Sequence, residues 1–310
     1  MFSVVFPGQG SQAVGMGKTL YDKYDLVKKY FKEADETLET PLSKIILNGP
    51  KSELDLTLNT QPAIFLISYS IFNIIKKEFN IDLNKANFFA GHSLGEYSAL
   101  CCAGYTKFSD TIKILKIRGE AMQNAVPKGI GGMLAILGTS IKNIENLIND
   151  NKDNFSIQIA NDNSEGQIVV SGKLDDLDKF VEILKLEGIK NIKLPVSAPF
   201  HCKLMSNATN IMKEEINKIN FIKGYNILMS NVTADKINET SEMKNLLIKQ
   251  IESRVRWRES VINMISRGVN NFIEIGPGKV LSGLIKRINK DVKIDTINSE
   301  DDIKLLKQYD

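Results

Sequence analysis

The sequence is poor in the residues that mark metal centres and disulfide scaffolds. Its 310 residues hold 3 cysteines, 2 histidines and 1 tryptophan. Cys101 and Cys102 adjoin and Cys202 stands alone, so there is neither a CxxC pair nor an even framework. Reduced thiols in a cytoplasmic protein are expected, and with so few dispersed ligands no metal site is expected. The chain also lacks an excess of either charge. Its 40 Lys and Arg against 37 Asp and Glu leave a net charge of +3, and the two signs interleave throughout. That excludes the dense basic face that binds a phosphate backbone, so nucleic acid is not an expected partner. Long apolar runs are missing as well. Ala63 to Ile75, the most apolar stretch, is short and interrupted by Ser, Tyr and Asn. A bilayer span takes about 20 apolar residues, so this stretch reads as a buried helix and no membrane partner is expected. The opening MFSVVFPGQG has neither the charged region nor the small-residue cleavage site of a signal peptide.

What is present is ordinary globular composition, 43% apolar and 25% charged. At roughly 100 to 200 residues per domain, the length suits one large domain or a large one carrying a small one. Periodicity and turn residues divide the chain further. A strand, FSVVF, breaks at Pro7-Gly8-Gln9-Gly10 and leads to a helix from about Thr19 to Leu38. After the buried helix come a strand, Ala86 to Gly91, a turn, GHSLG, a helix, EYSALCCAG, and a helix, Thr111 to Ala125. From about Gly132 to Ser197 the order is strand, helix, strand, strand, helix, strand. That is the ferredoxin-like signature, inserted in a larger α/β unit. Then follow helix Lys203 to Ile219, strand NILMSN, helix Glu242 to Ile265, strand NFIEIG, a short helix and strand VKIDTIN.

Gly91-His92-Ser93-Leu94-Gly95 is a G-x-S-x-G between a strand and a helix, the setting of a nucleophile elbow. The two glycines allow the sharp turn that exposes the serine, and the Leu94 N–H at the helix start has no intrahelical acceptor. A glycine-rich turn with a serine N-cap is the structural alternative. A nucleophilic serine needs a base. His92 adjoins Ser93 and should diverge from it, which leaves His201, in LPVSAPFHCKLM at a strand end. An ordinary serine hydrolase places an acid between the two. None of Asp110, Asp150, Asp153, Asp162, Asp175, Asp176 and Asp178 stands out from caps, turns or solvated faces, so a carbonyl or amide oxygen could orient the imidazole. In the opening loop, Gln12 stands where a Walker loop needs glycine and Ala13 where a dinucleotide loop does. Gln9 there is either a solvated turn residue or a second oxyanion donor. Arg118 is either a surface cation or a bidentate clamp for a carboxylate, which a guanidinium suits and a lysine does not.

FPGQGSQ (Phe6 to Gln12), GHSLGEYSAL (Gly91 to Leu100), RGEAMQ (Arg118 to Gln123), IANDNSEGQIVVSG (Ile159 to Gly172), LPVSAPFHCKLM (Leu194 to Met205) and EIGPGKVLSGL (Glu274 to Leu284) occur in that order. Together they resemble the malonyl-CoA:acyl carrier protein transacylases, nearly end to end. The resemblance implies an α/β-hydrolase-like large domain, residues 1–126 and 198–310, with a ferredoxin-like small domain, 127–197. It implies ping-pong transfer of malonyl from coenzyme A to the phosphopantetheine thiol of acyl carrier protein, supplying fatty acid synthesis without a resident cofactor. Ser93 would be the nucleophile, His201 its base, Gln9 and Leu94 the oxyanion hole, and Arg118 the partner of the malonyl carboxylate. The main-chain carbonyl of Gln250, in QIESRVRWRES, would orient His201. Asn163 would line the cleft, and Phe200 resembles the malonyl-specific members rather than users of branched units. Two departures stand out. Arg254 replaces a usual proline, which suggests a looser loop at Gln250, and Lys203 replaces a usual serine. A serine esterase or thioesterase and a silent carrier-binding subunit are the rival readings.

Overall fold

The computed structural model describes residues 1–196 and 198–306. The chain opens with β1 (Phe2–Phe6), which lies inside a six-stranded sheet. Val4 and Phe6 of this strand join one apolar cluster and Val5 another, so both faces are covered, as parallel strands require. Next come α1 (Lys18–Lys23) and α2 (Asp25–Leu38), where a single helix was expected; Tyr24, extended at φ −110° and ψ 118°, separates them. They are followed by α3 (Leu42–Asn48), α4 (Lys51–Leu54) and α5 (Thr57–Lys77).

α5 corrects an expectation. It is 21 residues long rather than the Ala63 to Ile75 core, and by length and composition it could cross a membrane. Its most apolar window is 89% buried inside the protein, packed against α2 and, among the elements that follow, α6 and α7. A helix apolar on all sides is expected in such a core position.

β2 (Phe88–Gly91) runs parallel to β1 with Gly91 opposite Phe6. This register sets the loop after β1 beside the turn after β2, which leads into α6 (Leu94–Cys102) and α7 (Phe108–Gln123). The next six elements are β3 (Gly131–Leu137), α8 (Ile141–Asp150), β4 (Ile157–Ser164), β5 (Gln167–Lys173), α9 (Leu174–Leu186) and β6 (Lys190–Lys193). They form a separate antiparallel sheet in the order β4-β5-β3-β6. Alternation divides its faces. Leu134, Ile136, Ile168 and Val170 pack with Phe180 and Leu184 of α9, while Met133, Ala135 and Val169 join the main core. The expected end of the small domain, Ser197, lies outside the described residues, as does 307–310.

The remainder is α10 (Ser206–Lys218), β7 (Ile227–Met229), β8 (Lys236–Ile237), α11 (Thr240–Gln250), α12 (Trp257–Ser266), β9 (Asn271–Ile275), α13 (Val280–Ile288), β10 (Lys293–Ile297) and α14 (Glu300–Lys304). The large sheet has the order β10-β9-β1-β2-β7-β8 and is parallel except for β8. The expected helix from Glu242 to Ile265 is therefore two. No glycine or proline marks the break between Ile251 and Arg256. It arises because Val255 leaves the helix to pair with β4: its N–H donates to Ala160 O at 2.8 Å and its carbonyl accepts from Asp162 N at 2.9 Å. Tertiary hydrogen bonds here override helix propensity. Arg254, where a looser loop was suggested, bridges to Glu145 of α8 at 2.8 Å.

Candidate active site

Ser93 sits between β2 and α6 at φ 53° and ψ −108°, a strained backbone that costs about 1 to 3 kcal/mol and persists only where its surroundings impose it. A Cβ on Gly91 would stand 2.0 Å from the Gly95 carbonyl, and one on Gly95 2.2 Å from Phe6 O. The motif's glycines are thus demanded by contact between turn, helix and β1. The Ser93 N–H donates to Asn231 Oδ1 at 2.7 Å, and Asn231 Nδ2 donates to Gly91 O at 2.8 Å. These bonds hold the elbow to the loop after β7.

His201, at φ 60°, brings Nε2 to 2.9 Å from Ser93 Oγ, while its Nδ1 lies 2.9 Å from the backbone oxygen of Gln250. A carbonyl only accepts, so Nδ1 carries the proton and Nε2 presents a lone pair to the serine hydroxyl. Burial, and next the Arg118 charge, lower the imidazole from 6.5 to about 3. It is a neutral base at every physiological pH. The chain turns after Gln250, whose carbonyl takes a long 3.3 Å bond from the Ser253 N–H and keeps its shorter contact for the imidazole.

Arg118, on α7, is 1% exposed, which excludes the surface-cation reading. Its Nη1 donates to Gln61 Oε1 at 2.7 Å, and its Nη2 donates to Gln250 Oε1 at 2.8 Å and to Ser93 Oγ at 3.0 Å. The guanidinium also lies 5.3 Å from the Tyr97 ring centre, within cation–π range. Its Nε is buried without a hydrogen-bond partner among the described residues. Ser93, His201 and Arg118 line a cavity of about 440 Å³, with Gln9, Leu94, Asn163 and Phe200 also on its wall. The size fits a small-molecule site. Among the described residues Gln9 makes one long 3.5 Å side-chain contact, to Thr57 Oγ1, which leaves its amide largely uncommitted. Asn163 is engaged: its Oδ1 lies 2.8 Å from His92 Nε2. His92 thus points away from the serine hydroxyl, toward the small sheet.

Two acids escaped the sequence reading. Asp162, grouped there with caps and turns, is wholly buried and grips Arg258 Nε at 2.9 and 3.1 Å and Nη2 at 2.9 Å. Burial outweighs that pairing and raises its carboxyl. Glu96 accepts from the Asn231 N–H at 3.1 Å and from Gln250 Nε2 at 2.6 Å. Burial pushes it up to about 7, against the pull of these donors and of Arg118. An acid among the apolar and small residues of LGEYSALCC was the available signal. Asn231 and Gln61 gave none.

Comparison with known proteins agrees with this geometry. Residues 3–302 match the acyl transferase domain family. The malonyl CoA-acyl carrier protein transacylase of Bacillus subtilis (strain 168) is 43% identical over 306 residues, 98% of this chain and 95% of the relative. That of Haemophilus influenzae is 39% identical over 298 residues, 96% and 95% of the two chains. The chain belongs to the malonyl CoA-acyl carrier protein transacylase family. A solved transacylase structure, the acyl-carrier-protein-S-malonyltransferase of Bartonella henselae, superposes with a TM-score of 0.96 at 41% identity, covering 99% of both chains. A malonyl-transacylase solved in complex with a type II PKS acyl-carrier protein gives 0.95 at 34% identity, over 100% of this chain and 99% of that one. In this transacylase Ser93, His201, the Gln250 carbonyl and the buried Arg118 stand together, on a chain whose likeness to its relatives runs nearly end to end.

Proposed function

We propose that this protein transfers malonyl from coenzyme A to the phosphopantetheine thiol of holo-acyl carrier protein through a malonyl-serine, in the direction that supplies fatty acid synthesis. The observation that carries the reading is the buried Arg118 guanidinium 3.0 Å from Ser93 Oγ. A simple esterase has no use for a desolvated cation there, whereas an acyl group ending in a carboxylate does. In the first half-reaction Ser93 Oγ attacks the thioester carbon while His201 Nε2 takes its proton. The Leu94 N–H and the Gln9 amide hold the oxyanion. Collapse breaks the carbon–sulfur bond, and His201 returns the proton to the departing thiolate. The carrier thiol then runs the steps in reverse. The malonyl carboxylate takes over the Arg118 Nη2–H now spent on Ser93, which frees the serine lone pair as substrate arrives.

Phe200, beside the base, narrows the wall against an α-methyl branch. Asn163, held by His92, braces the same wall. Nucleophile, base, oxyanion donors and carboxylate partner all come from the chain, so the reaction needs no resident cofactor. The architecture is read as an α/β-hydrolase-like domain, 1–126 with 198–310, carrying a ferredoxin-like insertion, 127–197. The parallel sheet that ends at the elbow supports the first part, and the order β4-β5-β3-β6 with α9 packed on one face supports the second. Three buried unpaired thiols suit the reducing cytoplasm as its compartment. Intact-mass analysis after brief mixing with malonyl-CoA tests the proposal. A malonyl adduct is expected on the wild type and not on Ser93→Ala; an adduct that survives the substitution would overturn it.

A further inference from the structure

Glu96 has no place in the steps above, yet its carboxylate ties together two segments that hold the site. It is 2% exposed on the first turn of α6. Its Oε2 accepts from two separate segments, the Asn231 N–H and Gln250 Nε2. Gln250 carries the greater consequence. Its Nε2 also donates to Ser93 O at 3.1 Å, its Oε1 accepts from Arg118 Nη2, and its backbone carbonyl accepts from His201 Nδ1. A carboxylate and a carbonyl only accept and a guanidinium only donates, so the amide satisfies all three partners in one orientation alone. Turned over, it would set its NH₂ against the guanidinium and its oxygen against Glu96.

We propose that Glu96 is a positioning residue for acyl selection, fixing the Gln250 amide so that Arg118 faces the acyl carboxylate; this rests on the reading that Arg118 receives that carboxylate. The role requires an acceptor at Oε2 rather than a charge. That the buried carboxyl is raised to about 7 fits such a role, because the site does not hold it strongly as an anion. Glu96→Gln keeps an oxygen able to accept both bonds. Glu96→Met fills the space without an acceptor, and Glu96→Asp draws the carboxylate back by one methylene, out of reach of Gln250.

The test is single-turnover acylation of Ser93 by malonyl-CoA and by acetyl-CoA, read as the ratio of the two kcat/KM values for the full-length wild type and each variant, alongside Tm. The wild type should prefer malonyl, and Glu96→Gln should stay near its ratio. Glu96→Met should lose about tenfold of that ratio, the worth of one hydrogen bond to a charged group, through slower malonyl transfer with acetyl transfer little changed. A merely structural role would lower Tm and leave the ratio intact. If Glu96→Met does not fold, Glu96→Asp decides, and it should lose part of the ratio. A folded Met or Asp variant with the wild-type ratio, or a Gln variant as unselective as the Met one, would overturn the proposal. A wild type without malonyl preference would instead overturn the Arg118 reading and this inference with it.

Discussion

Replacing Arg118 by alanine separates its place in acyl recognition from its place in the scaffold. The guanidinium serves Gln61, Gln250 and Ser93 at 2.7 to 3.0 Å, and substrate adds a carboxylate. Removing one partner of a buried charge pair costs about 2 to 5 kcal/mol. At 1.36 kcal/mol per factor of ten, kcat/KM for malonyl transfer to Ser93 should therefore fall about 30- to 5,000-fold. Acetyl-CoA has no carboxylate to lose and should fall much less. What it does lose reports the Ser93 contact, which both donors share. The scaffold effect is distinct: the Gln61 and Gln250 oxygens, buried and stripped of their donor, cost about 1 to 3 kcal/mol each in folding stability and lower Tm. Arg118→Lys should fall between, because one ammonium cannot reach three acceptors arranged around a planar fork. The assay is rapid-quench acylation with the two donors, with Tm measured on the same samples. Equal loss for malonyl and acetyl transfer would refute the reasoning and reduce Arg118 to a structural cation.

Three further outcomes follow from the geometry. Because burial and Arg118 lower His201 to about 3, the base stays neutral as pH falls through the ordinary imidazole value of 6.5. The acylation rate measured by pH-jump should hold level from pH 7 to about 5, and an acid limb centred near 6.5 would contradict the assignment. The same shift makes stability drop as pH falls below 6.5, since only the unfolded chain then takes up that proton. Arg258→Ala leaves Asp162 buried without its partner. It should destabilise by about 3 to 5 kcal/mol in thermal or urea unfolding, and Asp162→Asn in the same chain should recover part of the loss. No change in stability would show that this seam between β4 and α12 is idle.

The elbow was legible because its chemistry is forced locally: Gly91 and Gly95 tolerate no Cβ, and the serine between them has nowhere else to point. The base was legible by elimination, with 2 histidines in the chain and one of them too close to turn back on Ser93. The orienting carbonyl of Gln250 was not, because a backbone oxygen has no residue signature; only the resemblance supplied it. The break that follows it lies in QIESRVRW, a helix-compatible stretch, and exists because Val255 finds β4. A bond between segments some 95 residues apart leaves no local period to read. The burial of Arg118, Glu96 and Asp162 escaped for a related reason, since charged residues in a helix or strand pattern ordinarily face water. Their partners, Gln61, Gln250, Asn231 and Arg258, come from elsewhere in the chain.

The central claim is that malonyl passes from Ser93 to a carrier thiol in preference to water. Its most direct test is to isolate the malonyl-enzyme, free it of coenzyme A, and follow by intact mass how the label partitions between added holo-acyl carrier protein and hydrolysis. The account predicts rapid, near-complete appearance of malonyl on the carrier, dependent on its phosphopantetheine thiol, with slow loss when the carrier is omitted. Release to water at the same rate with or without the carrier would contradict it and make this site a thioesterase.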